Sequence, residues 1–287
     1  TEQPEHAEAL LERGELARRE GHLDQALELV IAALCCDPSK GYQLARGLLE
    51  ELGTGASVGD KLQALLQLHP SNLNIVRLFC LHARKQNNPR GMEEALKGIV
   101  AAEPNDNAIR LLCAQELHRV WRHEAAWELL APLIEAQPGN RTLVLTAGDI
   151  ASSRRDYAAA AAYLARAAEL SDGELDNRSR LRLAAALKHL NQTQAAADAL
   201  APVLAQPDAP AQAHEEAGHI ARQRGDLPGM VQHYSAAAAA DPSSARLRLV
   251  LVRALRDAGQ VERAATLLDA LLTEQPEHAE ALLERGE

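Results

Sequence analysis

Apolar residues recur at intervals of three and four along most of this chain, and short polar breaks interrupt them at regular distances. Ala7–Gly21 and Leu23–Asp37 both show this pattern, and the polar segment Glu20-Gly21-His22 lies where they meet. Such spacing places the apolar side chains on one face of an α-helix. Pro38 then ends the second segment, because a proline inside a helix lacks the N–H donor. The pattern predicts two helices joined by a turn.

The helix pair repeats along the chain with a period of 34 residues, as from Pro104 to Pro138. Self-similarity at such a period is typical of stacked repeat proteins. We therefore predict one all-α domain over 1–287, a right-handed α-solenoid of antiparallel helix pairs. Eight repeats and a half-repeat are expected near 7–40, 41–72, 73–106, 107–140, 141–176, 177–210, 211–244, 245–278 and 279–287.

Small and large apolar residues recur at fixed positions of the repeat. Position 8 is small in Gly14, Ala114, Gly148, Ala184, Gly218 and Gly286, and position 20 in Ala26, Ala126, Ala160, Ala196 and Ala264. Two helices of a pair can approach closely where side chains are small. Position 24 is large in Val30, Leu62, Leu96, Leu130, Leu164, Leu200, Tyr234 and Leu268, where the second helix is expected to face the next repeat.

In its period and in these small residues the chain resembles the tetratricopeptide repeat family, although the tryptophan usual at position 4 is absent. The resemblance covers essentially the whole chain. It implies the predicted fold, and a groove lined by the first helix of each repeat that binds a protein or peptide.

Two places depart from the regular pattern. The glycine-rich segment Gly53–Gly59 replaces the usual turn of the second repeat, and it predicts a shortened second helix of low stability. Pro132 and Pro202 fall within second helices, where we expect a kink or an early end of regular hydrogen bonding.

The segment Thr1–Glu15 recurs without change as Thr273–Glu287. Other repeats share only scattered positions, so this identity is not ordinary divergence. One interpretation is head-to-tail stacking of copies into a homo-oligomer through the half-repeat. The other is a boundary that cuts through a larger protein.

The net charge and the composition of the chain exclude some classes of binding partner. The formal net charge is −10, which argues against a general nucleic-acid or anionic-membrane surface. Apolar runs long enough to cross a membrane are missing from the sequence, so we predict no membrane insertion. The cysteines Cys35, Cys36, Cys80 and Cys113 lack CxxC spacing and are expected to be buried free thiols. We expect a cytoplasmic protein, or a soluble domain of a larger one.

The segments that resemble catalytic motifs do not have the residue spacing that those motifs require. His214 and His219 are five residues apart, whereas two metal ligands on one helix face are four apart. The glycine-rich segment before Lys61 has an intervening Asp60 and no Ser or Thr after the lysine, so nucleotide binding is not expected. His118 and His123 beside Trp121 lack a nucleophile. We predict no catalysis, no metal site and no cofactor.

Basic residues near the end of each first helix, together with apolar residues nearer its start, form the candidate peptide-binding groove. Its cationic members are Arg18, Arg19, Arg77, Arg84, Lys85, His118, Arg119, Lys188, Arg222 and Arg256, and its apolar members are Leu111, Leu145, Leu181 and Leu249. Cations there also stabilise the helix ends, and a leucine stripe is also typical of a core. Both alternatives stay open.

The sequence therefore predicts a non-catalytic scaffold that binds an extended, acidic protein segment. One alternative is a self-assembling solenoid joined through the identical segments. Another is a targeting module taken from a larger enzyme or secretion assembly.

Overall fold

A computed structural model describes residues 4–53 and 56–286 of the chain. These residues form seventeen α-helices and no strand, which confirms the predicted all-α fold. The helices are α1 Pro4–Arg19, α2 Leu23–Cys36, α3 Tyr42–Leu52, α4 Ala56–Leu68, α5 Leu73–Lys85, α6 Pro89–Ala102, α7 Asn107–Arg119, α8 His123–Ala136, α9 Arg141–Ser153, α10 Tyr157–Glu169, α11 Asn177–His189, α12 Thr193–Leu204, α13 Ala211–Gln223, α14 Leu227–Ala240, α15 Ala245–Asp257, α16 Val261–Glu274 and α17 Ala279–Gly286.

The helices form two compact units, Thr1–Leu143 and Val144–Glu287. Within the first unit, most helices pack on the next helix in the chain, and α5 also contacts α3 and α7. The second unit repeats this arrangement from α10 to α17, with α11 against α13. Pairs stacked in chain order are what the period predicts. Each predicted repeat holds one helix pair and 279–287 holds α17; the single domain over 1–287 stays a prediction.

Polar side chains fix where many of the helices begin. The Oδ1 atom of Asp106 accepts hydrogen bonds from the backbone N–H of Ala108 and Ile109, both at 3.0 Å. The same type of N-cap occurs at Asn72, Asn88, Asp156, Asp176, Asp226 and Ser244. These caps satisfy N–H groups that have no partner inside the helix.

In seven of the helix pairs, the turn contains one residue in the left-handed region. Its φ is +84° at Gly21, +64° at Trp121, +61° at Arg155 and +74° at Gly225. Asn87, Asn191 and Gly259 occupy the equivalent place. Glycine and asparagine enter this region readily, whereas tryptophan and arginine do so at a cost in energy. The turn geometry is therefore common to repeats whose turn residues differ.

The small residues at position 8 lie where the two helices of a pair touch, as predicted. A Cβ atom on Gly148 would lie 2.7 Å from Cγ of Leu164, and one on Gly218 would lie 2.6 Å from Cε1 of Tyr234. The large residues at position 24 thus face the first helix of their own repeat. The expectation that they face the next repeat was incomplete, because the missing Cβ of glycine leaves room for them within the pair.

The predicted shortening of α4 was wrong. It contains 13 residues, within the range of the other second helices, whereas α3 is the shorter helix of that pair with 11 residues. Gly53 ends α3 with a φ of +73°, and the backbone of Thr54 and Gly55 lies outside the described residues. The glycine-rich segment therefore ends the first helix early and leaves the second at full length.

The two prolines inside second helices do not end them. α8 continues to Ala136 beyond Pro132, and α12 continues to Leu204 beyond Pro202. α12 is nevertheless the shortest second helix in the described residues, with 12 residues. A proline in a helix removes one backbone hydrogen bond but leaves those of later residues intact.

The four cysteines are free thiols, and they differ in burial. Cys80 and Cys113 are buried, and burial raises the pKa of the Cys113 thiol to about 12. Cys35 and Cys36 are only partly buried, so the expectation of full burial was wrong for this pair. They lie in the last turn of α2, where one side of the helix is still open to solvent.

Candidate binding surface on the first helices

The predicted cations, except Arg77, lie in the last turns of odd-numbered helices. Examples are Arg18 and Arg19 in α1, Arg84 in α5, and Arg222 in α13. Each lies close to the free carbonyl groups at the end of its helix, and a cation there contributes about 0.3–1 kcal/mol to stability. This local role accounts for their regular spacing whether or not a ligand binds.

In the first unit these cations pair with carboxylates of the following odd-numbered helix. Nε of Arg18 donates a 2.9 Å hydrogen bond to Oε1 of Glu51 in α3. Nη1 of Arg84 donates a 2.7 Å hydrogen bond to Oε2 of Glu116 in α7. Arg119, in the last turn of α7, binds the other oxygen of the same carboxylate. Successive first helices are thus joined by ion pairs.

The second unit repeats this arrangement with different residues. Nζ of Lys188 lies 2.6 Å from Oε2 of Glu216, Arg222 lies 3.4 Å from Asp257, and Nη1 of Arg256 lies 2.9 Å from Oε2 of Glu284. Each of these cations faces a carboxylate of the next odd-numbered helix. Their charges are therefore largely neutralised within the protein.

At Glu116, two arginines share one carboxylate, as Arg253 and Arg256 share Glu284. A further cation, Lys85, follows Arg84 in the chain. The Glu116 side chain is only 4% exposed, whereas that of Arg119 is 59% exposed and Lys85 next to Arg84 is also exposed. Three cations and one carboxylate give these four side chains a net charge of +2. We call Arg84, Lys85, Glu116 and Arg119 the Glu116 cluster. The cluster carries net positive charge, and the buried carboxylate of Glu116 positions the side chains of Arg84 and Arg119.

Two further predicted polar residues, Arg77 and His118, have local partners. Nη1 of Arg77 donates a 3.2 Å hydrogen bond to Oδ1 of Asn74, one turn earlier in α5. Nδ1 of His118 lies 3.1 Å from Nδ1 of His123 at the start of α8. Burial lowers the pKa of His123, which favours a neutral ring at this contact. Arg77 therefore pairs within its own helix, whereas His118 contacts the start of the next helix.

The predicted apolar residues divide into two groups. Leu249 is 1% exposed and Leu181 is 9% exposed, and both belong to hydrophobic core clusters of the second unit. Leu111 and Leu145 are partly buried, and Leu145 packs against another cluster. The core alternative describes Leu181 and Leu249, because the neighbouring repeat covers them. Only Leu111 and Leu145 retain surface that a ligand could contact.

Sequence analysis missed the carboxylates that pair with the basic residues. Glu51, Glu116, Glu216, Asp257 and Glu284 each lie 28–35 residues after their partner in the chain. They occupy four different positions of the repeat, so reading one position at a time does not reveal them. A search for an acid about one period after each cation would have found them.

His219 of α13 forms a hydrogen bond that has a structural role. Nδ1 of His219 lies 2.8 Å from the hydroxyl of Tyr234, and burial raises the pKa of that tyrosine to about 12. Oε2 of Glu215 accepts a 2.7 Å hydrogen bond from Arg246. Among the described residues, no group of three or more His, Cys, Asp or Glu side chains is arranged to hold a metal ion.

The second unit also carries the family match. Residues 221–285, which span α14, α15 and α16, match the family model of the tetratricopeptide repeat. The chain contains tetratricopeptide repeats. The matched residues include Tyr234 and Ala264, which are buried between paired helices.

Several solved structures share the arrangement of these tetratricopeptide repeats. YrrB, a protein described as having an unusual peptide-binding site, is 20% identical, covers 68% of this chain and 100% of its own, and has a TM-score of 0.55. PilW, a type IV pilus biogenesis factor, is 15% identical over 74% of this chain and 98% of its own, with a TM-score of 0.61. A tetratricopeptide repeat protein from Parabacteroides merdae is 12% identical over 88% and 99%, with a TM-score of 0.51.

At these identities the likeness concerns the fold of the tetratricopeptide repeats alone. No curated protein matches the chain. Within residues 4–53 and 56–286, none of the helices combines the length and apolar character needed to cross a bilayer.

Proposed function

We propose that the chain is a non-catalytic scaffold that binds an extended, acidic protein segment through the Glu116 cluster. The cluster carries the proposal because it has three cations and a single, buried carboxylate, whereas Lys188 and Arg222 each face a carboxylate of their own. Guanidinium groups pair with carboxylates in a planar, bidentate geometry that suits peptide recognition.

The burial of Glu116 supports this role for the cluster. A carboxylate that is 4% exposed holds Arg84 and Arg119 in fixed positions before a ligand arrives. Fixing these side chains in advance lowers the entropy lost on binding. The partly exposed Leu111 lies on the same helix as Glu116, and it could contact an aliphatic side chain of the ligand. The proposed setting is the cytoplasm, where the free thiols would stay reduced.

A fluorescence anisotropy titration with a labelled decapeptide of alternating glutamate and leucine tests the proposal. We expect saturable binding that weakens with added salt, because exposed charges are screened. The double variant Lys85→Ala/Arg119→Ala should weaken it about tenfold or more. Arg46→Ala/Arg90→Ala removes two exposed arginines elsewhere in the first unit and serves as the matched control. Equal affinity for both double variants would exclude the cluster as the binding site.

A second candidate function is self-assembly, and the contacts of α17 favour it. Its residues Ala279–Gly286 have the same sequence as residues 7–14 of α1. In α17, Ala281 is fully buried and Glu284 pairs with Arg253 and Arg256. In α1, the equivalent Ala9 and Glu12 are exposed, while Ala7 and Gly14 on the other face are buried.

The same sequence thus buries opposite faces in α1 and α17. Residues 7–14 of a second copy could take the place of Ala279–Gly286 and keep their packing on α2, since the two contacts use different faces. Such an exchange of identical segments is the route by which domain swapping joins copies.

Light scattering after size-exclusion chromatography, over a range of concentrations, tests this candidate. Ala9→Arg should abolish assembly without changing the monomer, because Ala9 is exposed in α1 and only a docked copy would cover it. Ala101→Arg changes an exposed alanine of α6 and should leave assembly intact. A chain that is monomeric at every concentration, or an Ala9→Arg variant that assembles normally, would contradict self-assembly.

A further inference from the structure

A cavity of about 660 Å³ is lined by α4, α5 and α6 in the first unit. Its apolar walls include Leu66, Phe79, Met92 and Ile99, each less than a tenth exposed. On α6, Gly98 contributes no side chain, and a Cβ atom there would meet no other atom within 4 Å. The volume lies in the range of sites that hold small molecules, roughly 300–1,000 Å³.

The wall of this cavity contains a buried histidine. His82 of α5 is 2% exposed, and neither of its ring nitrogens has a hydrogen-bond partner in the part of the chain that the structure describes. A Cβ atom on Gly59 of α4 would lie 3.1 Å from Nε2 of His82 and 3.4 Å from Nε2 of Gln86, so both polar groups line this wall of the cavity. Buried polar groups nearly always have a partner, so a ligand is a suitable source of one here.

The electrostatics of the cavity restrict the ligand. Burial lowers the pKa of His82, with a further contribution from the charge of Lys85, so the ring is neutral near pH 7. A neutral imidazole offers one donor and one acceptor. The cavity lining contains the carboxylates of Asp60 and Glu94, both exposed, and none of its residues is a lysine or an arginine. An anionic ligand would therefore meet two carboxylates and no cation among the lining residues, which disfavours its binding.

We infer that this cavity binds a small, uncharged molecule with an apolar body and a hydroxyl group that pairs with His82. A hydroxyl group both donates and accepts, so it suits either nitrogen of the ring. The apolar body would cover Phe79 and Met92, which supplies the main driving force. The inference goes beyond the proposed scaffold function and does not depend on it.

A titration with 2-naphthol, followed by its fluorescence and by the ¹⁵N NMR signals of the histidine rings, tests the inference. We expect saturable binding with a shift of the His82 ring signals. The anion 2-naphthoate has the same ring system and should bind at least about tenfold more weakly. Absence of saturable 2-naphthol binding up to about 1 mM would overturn the inference.

Two variants distinguish this cavity from other apolar surfaces. Gly98→Leu fills open space and replaces glycine by a better helix former, so the fold should persist while 2-naphthol binding weakens about tenfold. Gly47→Leu makes the same change in α3, outside the cavity lining, and should bind as the original chain does.

His82→Phe retains a ring of similar size and should reduce 2-naphthol binding by about tenfold. If that variant fails to fold, the comparison of Gly98→Leu with Gly47→Leu still decides the question. Equal binding by these two glycine variants would overturn the inference.

Discussion

The carboxylate of Glu116 in α7 accepts a 2.7 Å hydrogen bond from Nη1 of Arg84 in α5, and the Glu116 side chain is only 4% exposed. A carboxylate this deeply buried is stable as an ion only when cations and hydrogen bonds replace the water it has lost. Arg119 provides the second contact from the last turn of the same helix. The pair therefore joins two successive repeats and organises the proposed binding surface.

Removing Arg84 should destabilise the first unit. Arg84→Met keeps much of the side-chain volume but leaves one oxygen of Glu116 without its partner, so we expect a loss of about 1–3 kcal/mol in the free energy of unfolding. Urea denaturation measures it. Arg90→Met breaks an exposed pair with Glu94, whose side chains are 85% and 69% exposed, and should cost less than about 0.5 kcal/mol. Similar losses in both variants would contradict a special role for the buried carboxylate.

The contacts between small and large residues inside a helix pair should tolerate little added side-chain volume. Gly148→Ala would place a Cβ atom 2.7 Å from Cγ of Leu164, so the helices must move apart, at a cost of about 1–3 kcal/mol. Gly98→Ala makes the same substitution where no atom lies within 4 Å, and it should stabilise the chain by about 0.5–1 kcal/mol. Thermal unfolding by circular dichroism should show shifts of opposite sign.

The strained turn of the fifth repeat offers a stabilising substitution. Arg155 is exposed and has a φ of +61°, a conformation that glycine adopts without steric cost. We expect Arg155→Gly to raise the free energy of unfolding by about 0.5–1 kcal/mol. Gly225→Ala, at the equivalent turn of the seventh repeat with a φ of +74°, should lower it by a similar amount. A destabilised Arg155→Gly variant in urea denaturation would refute this account of the turn.

Stability should fall on mild acidification because of buried histidines. Burial lowers the pKa values of His82, His219 and His233 below the ordinary value of 6.5. Below about pH 6.5, the histidines of the unfolded chain bind protons that the same histidines of the folded chain do not yet bind. The stability that these histidines contribute at higher pH is therefore lost as the pH falls toward their pKa values in the folded state. Urea denaturation should show lower stability at about pH 5.5 than at about pH 7.5.

His82→Phe should reduce that pH dependence, because it removes one of the groups responsible. The measurement compares the difference in stability between the two pH values in the variant and in the original chain. Carboxylates such as Glu215, whose pKa is lowered by Arg246, lose their contribution only at more acidic pH. An unchanged difference in the variant would show that His82 contributes nothing to it.

The helix pairs and the positions where the two helices of a pair touch could be predicted from the sequence. The period of 34 residues and the small residues such as Gly14, Gly148 and Gly218 predicted the repeats, because helix formation and close approach depend on neighbours within one repeat. Even so, the glycine-rich segment Gly53–Gly59 was assigned to the wrong helix. Composition indicates that a helix is interrupted but not which of its two neighbours loses residues.

Which residues of the candidate surface a ligand could contact depends on the tertiary structure. The sequence offered Lys188, Arg222 and Leu249 as readily as Arg119, yet packing places carboxylates beside the first two and covers the third. Likewise, nothing in the sequence marked His82 as a buried ring without a partner. Charge pairing and burial depend on the distances between side chains of successive repeats. Those distances are set by how the helices stack, because residues about one period apart in the chain come within hydrogen-bonding range only when their helices pack together.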